Sequence, residues 1–358
     1  WPTLVLIDPL GKVVGKHSGE GVYTLFQPIL SSMLVEFEGK FDAKALPLSL
    51  DATAASSVLS YPGKVLADEQ RGRLYIADSG HNRVLVSTLD GRLESVIGTG
   101  EEGFADGAAN EARFRQPQGL GLSANGRTLY VADTRNHAIR AVDLASLEVT
   151  TIAGTGKQAD RFPRAGDAAT KTALASPWDV LEVGGRLYIS IAGLHQIWSL
   201  DLANGTLAVF AGTSREGIND GDRLRGATLA QPSGMASDGT WLYWVDPEGS
   251  ALRRVRIEGQ GEVETIVGKG LFEYGADDGT GTAAKFQHPQ GLALANGRLI
   301  VGDTYNHRLR AVDPVTFAVT TLAGSERGWS DGTGTEARFD EPAGLGFAGG
   351  RVFVADTN

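Results

Sequence analysis

Several short apolar stretches close on an acidic side chain: Asp78, Asp133, Asp246, Asp303 and Asp356. Carboxylates at strand ends could serve as general acids and bases or ligate a metal ion. Short acidic side chains also accept backbone N–H bonds within their own turn. Recurrence favours that second role, because a reaction needs its catalytic group once rather than once per copy. The same holds for Asn82, Asn136, Asn306, His137 and His307, which follow these aspartates. Residues that break the repetition are better candidates for function. Trp178, Asp179, His195 and Trp198 fall together in one copy, and exposed aromatic side chains anchor protein partners well. His195 could act as a general base, yet no nucleophile or second histidine stands in a recognisable relation to it. No hydrolase, zinc-protease or phosphate-cradling motif is present. The reading therefore assigns no catalytic, cofactor or metal residue. Its candidate interaction surface comprises Trp178, Asp179, His195 and Trp198, with Asp78, Asp133 and Asp303.

The absence of cysteine removes thiolate catalysis, disulfides and cysteine metal sites from these residues. A net charge of −10 opposes nucleic-acid binding, which rests on Lys and Arg neutralising phosphates. No apolar run approaches the roughly 18 residues of a membrane helix. The expected partners are therefore proteins, with no nucleic acid and no membrane, and the chain is expected to be a monomer.

The elements that position these residues repeat. Pro62, Pro117, Pro177, Pro232, Pro289 and Pro342 each open a short apolar strand, and four of the six are followed two residues later by glycine. In the first copy the glycine, Gly63, comes one position early, and in the third Asp179 replaces it. A fixed period of this size marks one supersecondary unit copied around an array. Each copy reads as four strands in up-and-down order, which is a propeller blade. The 48 glycines supply the turns. Between blades lie Asp106-Gly107, Gly166-Asp167, Asp220-Gly221, Asp278-Gly279 and Asp331-Gly332, mostly followed by Ala-Arg-Phe or Ala-Lys-Phe. These read as a turn plus an aromatic plug between blades. A calcium loop would need more alternating oxygen ligands than Asp277-Asp278-Gly279-Thr280 offers.

Ahead of the repeats, Thr3 to Asp8 and Lys12 to Lys16 read as a hairpin. Apolar residues from Val22 to Phe37 follow the period of a one-sided helix, with Pro28 expected to kink it or delay its start. Three elements are too few to close a core, and both chain ends read as cuts in a longer polypeptide.

The strand end Leu129 to Arg140, repeated at Leu299 to Arg310, resembles the NHL repeat. The divergent third copy, Ser176-Pro177-Trp178-Asp179 with Leu194-His195-Gln196-Ile197-Trp198, is similar to the third blade in the family of NHL repeat-containing protein 2. The resemblance implies an all-β, six-bladed propeller over 59–358 with its last blade truncated. It also implies a linker over 39–58 and, over 1–38, the C-terminal β-β-α remnant of a thioredoxin-like domain, with Pro2 as that domain's cis-proline. The function it implies is a non-catalytic interaction scaffold, whose propeller face and adjoining cleft present a client to a redox domain; the cytoplasm is the implied compartment. The alternative is a metal-dependent propeller enzyme of lyase, lactonase or dehydrogenase type acting at the central channel.

Overall fold

The computed structural model describes residues 3–18, 22–39, 58–159 and 162–356. Contacts divide the chain into two compact units, Trp1–Ser57 and Val58–Asn358. Pro2 and nearly all of the linker expected over 39–58 lie outside the described residues.

The first unit is a hairpin and a helix. Strand β1 (Thr3–Ile7) pairs antiparallel with β2 (Val13–Ser18). The Asp8 side chain holds the turn by accepting the backbone N–H groups of Leu10 and Lys12 at 2.9 and 2.8 Å. Helix α1 spans Val22–Glu36 and runs through Pro28, so the proline does not delay the start. Leu4, Val5 and Ile7 on β1 and Leu25, Leu30 and Leu34 on α1 remain exposed, as expected of so few elements. The expected hairpin and helix are present.

The second unit is a ring of antiparallel sheets. Blade 1 comprises Pro62–Asp68, Arg73–Asp78, Arg83–Thr88 and Leu93–Ile97. Blade 2 comprises Pro117–Leu122, Thr128–Asp133, Ala138–Asp143 and Val149–Gly154. Blade 3 comprises Pro177–Val183, Arg186–Ile191, Gln196–Asp201 and Thr206–Ala211. Blade 4 comprises Met235–Ser237, Trp241–Asp246, Ala251–Arg256 and Glu262–Val267. Blade 5 comprises Gly291–Ala295, Arg298–Asp303, Arg308–Val312 and Ala318–Gly324. In each, sequence order is spatial order. The sixth repeat supplies only a hairpin, Pro342–Ala348 with Arg351–Asp356. The expectation of six blades is thus corrected to five four-stranded blades and a two-stranded sheet among the described residues. The hairpin's first strand still packs against the innermost strands of both blade 5 and blade 1, which closes the ring.

The second strand of each blade, such as Leu129-Tyr130-Val131-Ala132-Asp133, is buried on both sides and reads as continuous apolar sequence. Separate apolar clusters fill the gaps between consecutive blades. Phe114 and Phe286, from the Ala-Arg-Phe and Ala-Lys-Phe segments, are fully buried in two of these gaps. Each such ring stabilises the packing by roughly 1.5–3 kcal/mol. The loop entering a blade also runs back along that blade's outer strand, as in the pairing of Gly279-Thr280 with Ala318 and Val319. An otherwise open sheet edge is covered in this way.

Blades are stapled by a repeated hydrogen bond. After the second strand a short 3₁₀ turn ends in a left-handed residue: Asn82, His137, His195 and His307, with φ of 50°, 49°, 52° and 54°. Asparagine and histidine are among the few side chains enriched there. Each side chain accepts the backbone N–H of the residue before the next blade's proline, at Gln116, Ser176, Gln231 and Glu341 respectively, over 2.9–3.2 Å. His137 accepts through Nδ1, so its ring must be neutral there. Burial, with Arg135 and Arg115 nearby, lowers its pKa below the ordinary value. The unfolded chain therefore takes up a proton near pH 6.5 that the folded chain refuses, and stability falls as pH drops below that point. His137→Asn, which copies Asn82, should match the parent at pH 8 and lose less stability on going to pH 5. Urea midpoints at the two pH values test this, and parallel losses in both proteins would refute it.

Candidate functional site

The innermost strands begin at the axis of the ring. Two residues after each proline stand Lys64, Gly119, Asp179, Gly234, Gly291 and Gly344. Neighbouring backbones come so close there that a Cβ on Gly234 would lie 2.6 Å from the Gln290 carbonyl oxygen, and one on Gly344 would meet the backbone of Gly63 and Lys64. Glycine is required by space, not by turn geometry. The two exceptions reach each other across the mouth. Lys64 Nζ donates to Asp179 Oδ1 and Oδ2 at 2.6 and 2.7 Å, and Asp179 Oδ2 also accepts the Met235 N–H at 2.9 Å. Both side chains are buried. The cavity left at this mouth, lined also by Gln118, Trp178 and Gln290, measures about 20 Å³, room for a single water. Beyond the ion pair lies a wider cavity of about 260 Å³ of mixed lining, with Lys64 and Ser237 beside Leu66, Leu122, Leu181, Leu294 and Phe347.

The repeated aspartates are structural hubs. Asp133 Oδ1 accepts the Arg115 N–H at 2.8 Å, while Oδ2 accepts from Asn136 and from Arg140 Nη1 at 2.8 and 2.9 Å. Arg140 Nη2 donates to Asp106 Oδ1 at 2.7 Å, and Asp106 also accepts from the Thr151 N–H and hydroxyl. The guanidinium lies against Phe104 and Phe114. Blade 5 repeats this with Asp303, Asn306, Arg310, Asp278, Thr321 and Phe286. Blade 4 uses Asp246, Arg253, Asp220 and Thr265. Burial pushes the Asp133, Asp246 and Asp303 carboxyls up to about 6, against their arginine partners. Burial also acts on Asp106 and Asp278, but bonds from threonine and arginine hold both below the usual carboxylate range.

The expected surface residues therefore separate. Asp78, Asp133 and Asp303 have no exposed surface; Asp78 accepts the Ser60 N–H and pairs with His81 and Arg83. Trp198 is also fully buried, donating from Nε1 to Gln196 Oε1 at 2.9 Å, and it stands where blades 2, 4 and 5 carry the buried arginine. Asp179 is buried in the axial pair. These five residues are corrected from surface to interior. Trp178, at the mouth, and His195, at the end of the blade 3 turn, remain half-buried. Lys64, the hub arginines and the true exposed aromatics escaped the sequence reading, although the misplaced Gly63 was the visible trace of Lys64.

Strand direction places the 3₁₀ turns, the loops between blades and the axial mouth on one face. Tyr61, Phe104, Phe162, Phe272, Tyr274, Tyr305 and Trp329 are the exposed aromatics among the described propeller residues, and all belong to that face's turns and loops. Tyr305 stacks on His288 with ring centres 4.4 Å apart. Among the described residues, no group of three or more His, Asp or Glu side chains is placed to hold a metal ion.

The sequence profile of the NHL repeat matches residues 114–141 and 286–311. Over its whole length the chain is 39% identical to Protein SUPPRESSOR OF QUENCHING 1, chloroplastic, of Arabidopsis thaliana, and 36% identical to NHL repeat-containing protein 2 of Homo sapiens. It spans 36% and 54% of those two proteins. Among solved structures, a Bacteroides thetaiotaomicron protein of unknown function matches with a TM-score of 0.62 at 16% identity, covering 85% of this chain and 68% of that one. A gluconolactonase from Xanthomonas campestris matches with a TM-score of 0.53 at 14% identity, covering 83% of each. At such identities these two likenesses concern the fold alone.

Proposed function

The chain belongs to the NHL-repeat proteins, and from that premise we propose that it is a non-catalytic protein-interaction scaffold docking its partner on the face that carries the interblade loops. One observation carries the reading: the exposed aromatics gather on that face, and interfaces are enriched in aromatic side chains. The Lys64–Asp179 pair supports it, because a mouth with room for one water does not admit a substrate from the same side. We further propose that the ring has six blades in the working protein, the final hairpin being the inner half of the sixth. By the same proposal β1, β2 and α1 belong to a thioredoxin-like module that receives the client.

Photo-crosslinking residues placed at Tyr61, Tyr305 or Phe272 should capture a protein partner, whereas the same label at Arg127 or Val315 on the opposite face should not. Equal capture from both faces would refute the docking face. The competing reading, a metal-dependent lactonase or lyase, rests on the gluconolactonase likeness and requires chelator-sensitive turnover of a lactone. Such turnover by this chain would displace the scaffold reading.

A further inference from the structure

The arginine hub recurs with fixed parts. An Asp-Gly in the entering loop, at 106–107, 220–221 and 278–279, always meets an arginine seven residues after the strand-end aspartate: Arg140, Arg253 and Arg310. Blade 3 has Gly166-Asp167 instead, and there Ile191 and Trp198 replace the aspartate and the arginine together. Blade 1 carries no such Asp-Gly before it, and Leu85 stands in the arginine's place while Arg83 serves Asp78. Within this one chain the parts come as a set.

The sixth repeat has the two carboxylates and the two aromatics of the blade 2 hub, but among the described residues neither its cation nor its asparagine and threonine partners. Asp356 Oδ1 accepts the Asp340 N–H at 2.7 Å, the counterpart of the Asp133 bond to Arg115. Its other oxygen has no partner among the described residues, nor has the side chain of Asp331 in Asp331-Gly332. Phe339 occupies the place of Phe114 and Phe286 but is only half-buried. Trp329 stands where Phe104 covers Arg140, and it is 88% exposed. The outer edge of Arg351–Asp356 is unpaired in its sheet.

We infer that Asp331, Asp356, Phe339 and Trp329 form an empty guanidinium slot, filled when the repeat's own third strand adds to the edge of Arg351–Asp356 and brings an arginine seven positions beyond Asp356. This rests on the six-blade reading and adds to it which charge completes the blade and which aromatic it covers. The occupant is specific. A planar cation bonds two carboxylates at once while stacking on an indole, which lysine or glutamine cannot reproduce.

The test supplies that strand from the chain itself. Thr357 and Asn358 are replaced by a copy of Thr134–Gly154, which places the copy of Arg140 at the required spacing and brings the copy of Thr151. The extended chain should melt about 4 °C or more above the original, and acrylamide quenching of Trp329, read against Trp329→Phe, should fall. Changing the copied arginine to glutamine should remove at least half the gain. Asp331→Asn should do the same in the extended chain and leave the unextended chain unchanged. If the glutamine copy stabilises equally, the slot is wrong although strand addition stands. If neither copy stabilises, the six-blade reading falls with it. Dimers of the extended chain at micromolar concentration would show exchange between copies and overturn the assignment to one chain.

Discussion

Lys64→Met is expected to lower stability by about 3–5 kcal/mol, the usual cost of stranding one partner of a buried ion pair. The methionine fills the lysine stem's volume but leaves the Asp179 carboxylate buried with only the Met235 N–H as a donor. Asp179→Leu should be comparably harmful, leaving an ammonium among glycine backbones. The double variant Lys64→Met/Asp179→Leu should recover most of the loss, because a matched apolar pair strands no charge. A residue of about 1 kcal/mol should persist, since the Met235 N–H loses its acceptor. Urea unfolding of the four proteins measures the cycle. Additive losses in the double variant would mean that the two side chains act independently and that the axial bond contributes nothing. The same set bears on function. A scaffold docking at the loop face should keep its partner in the double variant, whereas a channel enzyme would change activity once its mouth became apolar.

The ring was legible because its signals are local. Proline-opened strands, Leu-Tyr-Val-Ala-Asp ends and glycine spacing each fit in a dozen residues, and their period announces a propeller. The hub was half legible. Asp133 with Arg140, Asp246 with Arg253 and Asp303 with Arg310 keep one spacing, so the arginine could have been found beside each aspartate. The third member, Asp106, Asp220 or Asp278, comes from the loop ahead, and only the fold returns that loop to the outer strand. The axial pair was least legible. Gly63 out of step and Asp179 in place of glycine were both visible, but nothing local says that Lys64 and Asp179, 115 positions apart, face each other. Trp198 misled for a related reason. It looked like an exception inviting a partner, yet it is an apolar replacement for a buried arginine, made together with Ile191.

That replacement frames the second large effect, Arg140→Met, expected to cost about 3–5 kcal/mol. Arg140 is fully buried, touches two carboxylates and lies between two phenylalanines, so its removal leaves Asp133 charged in the interior. The exposed neighbour Arg135, changed to methionine, should move stability by no more than about 0.5 kcal/mol. The deficit should also depend on pH in a definite sense. Asp133 already titrates near 6 in the folded protein, against an ordinary value near 3.8, and losing the guanidinium pushes it higher. A carboxyl whose folded pKa is raised holds its stabilising proton below the unfolded pKa and loses that contribution as pH rises through the folded pKa. The gap between Arg140→Met and parent should therefore be smaller at pH 5 than at pH 8. A gap that does not change with pH would mean that the loss comes from packing against Phe104 and Phe114 rather than from a stranded charge. In that case Asp133→Ile/Arg140→Trp, which copies blade 3, should rescue no better than Arg140→Met alone. If charge governs, the double variant should be the more stable of the two at pH 8.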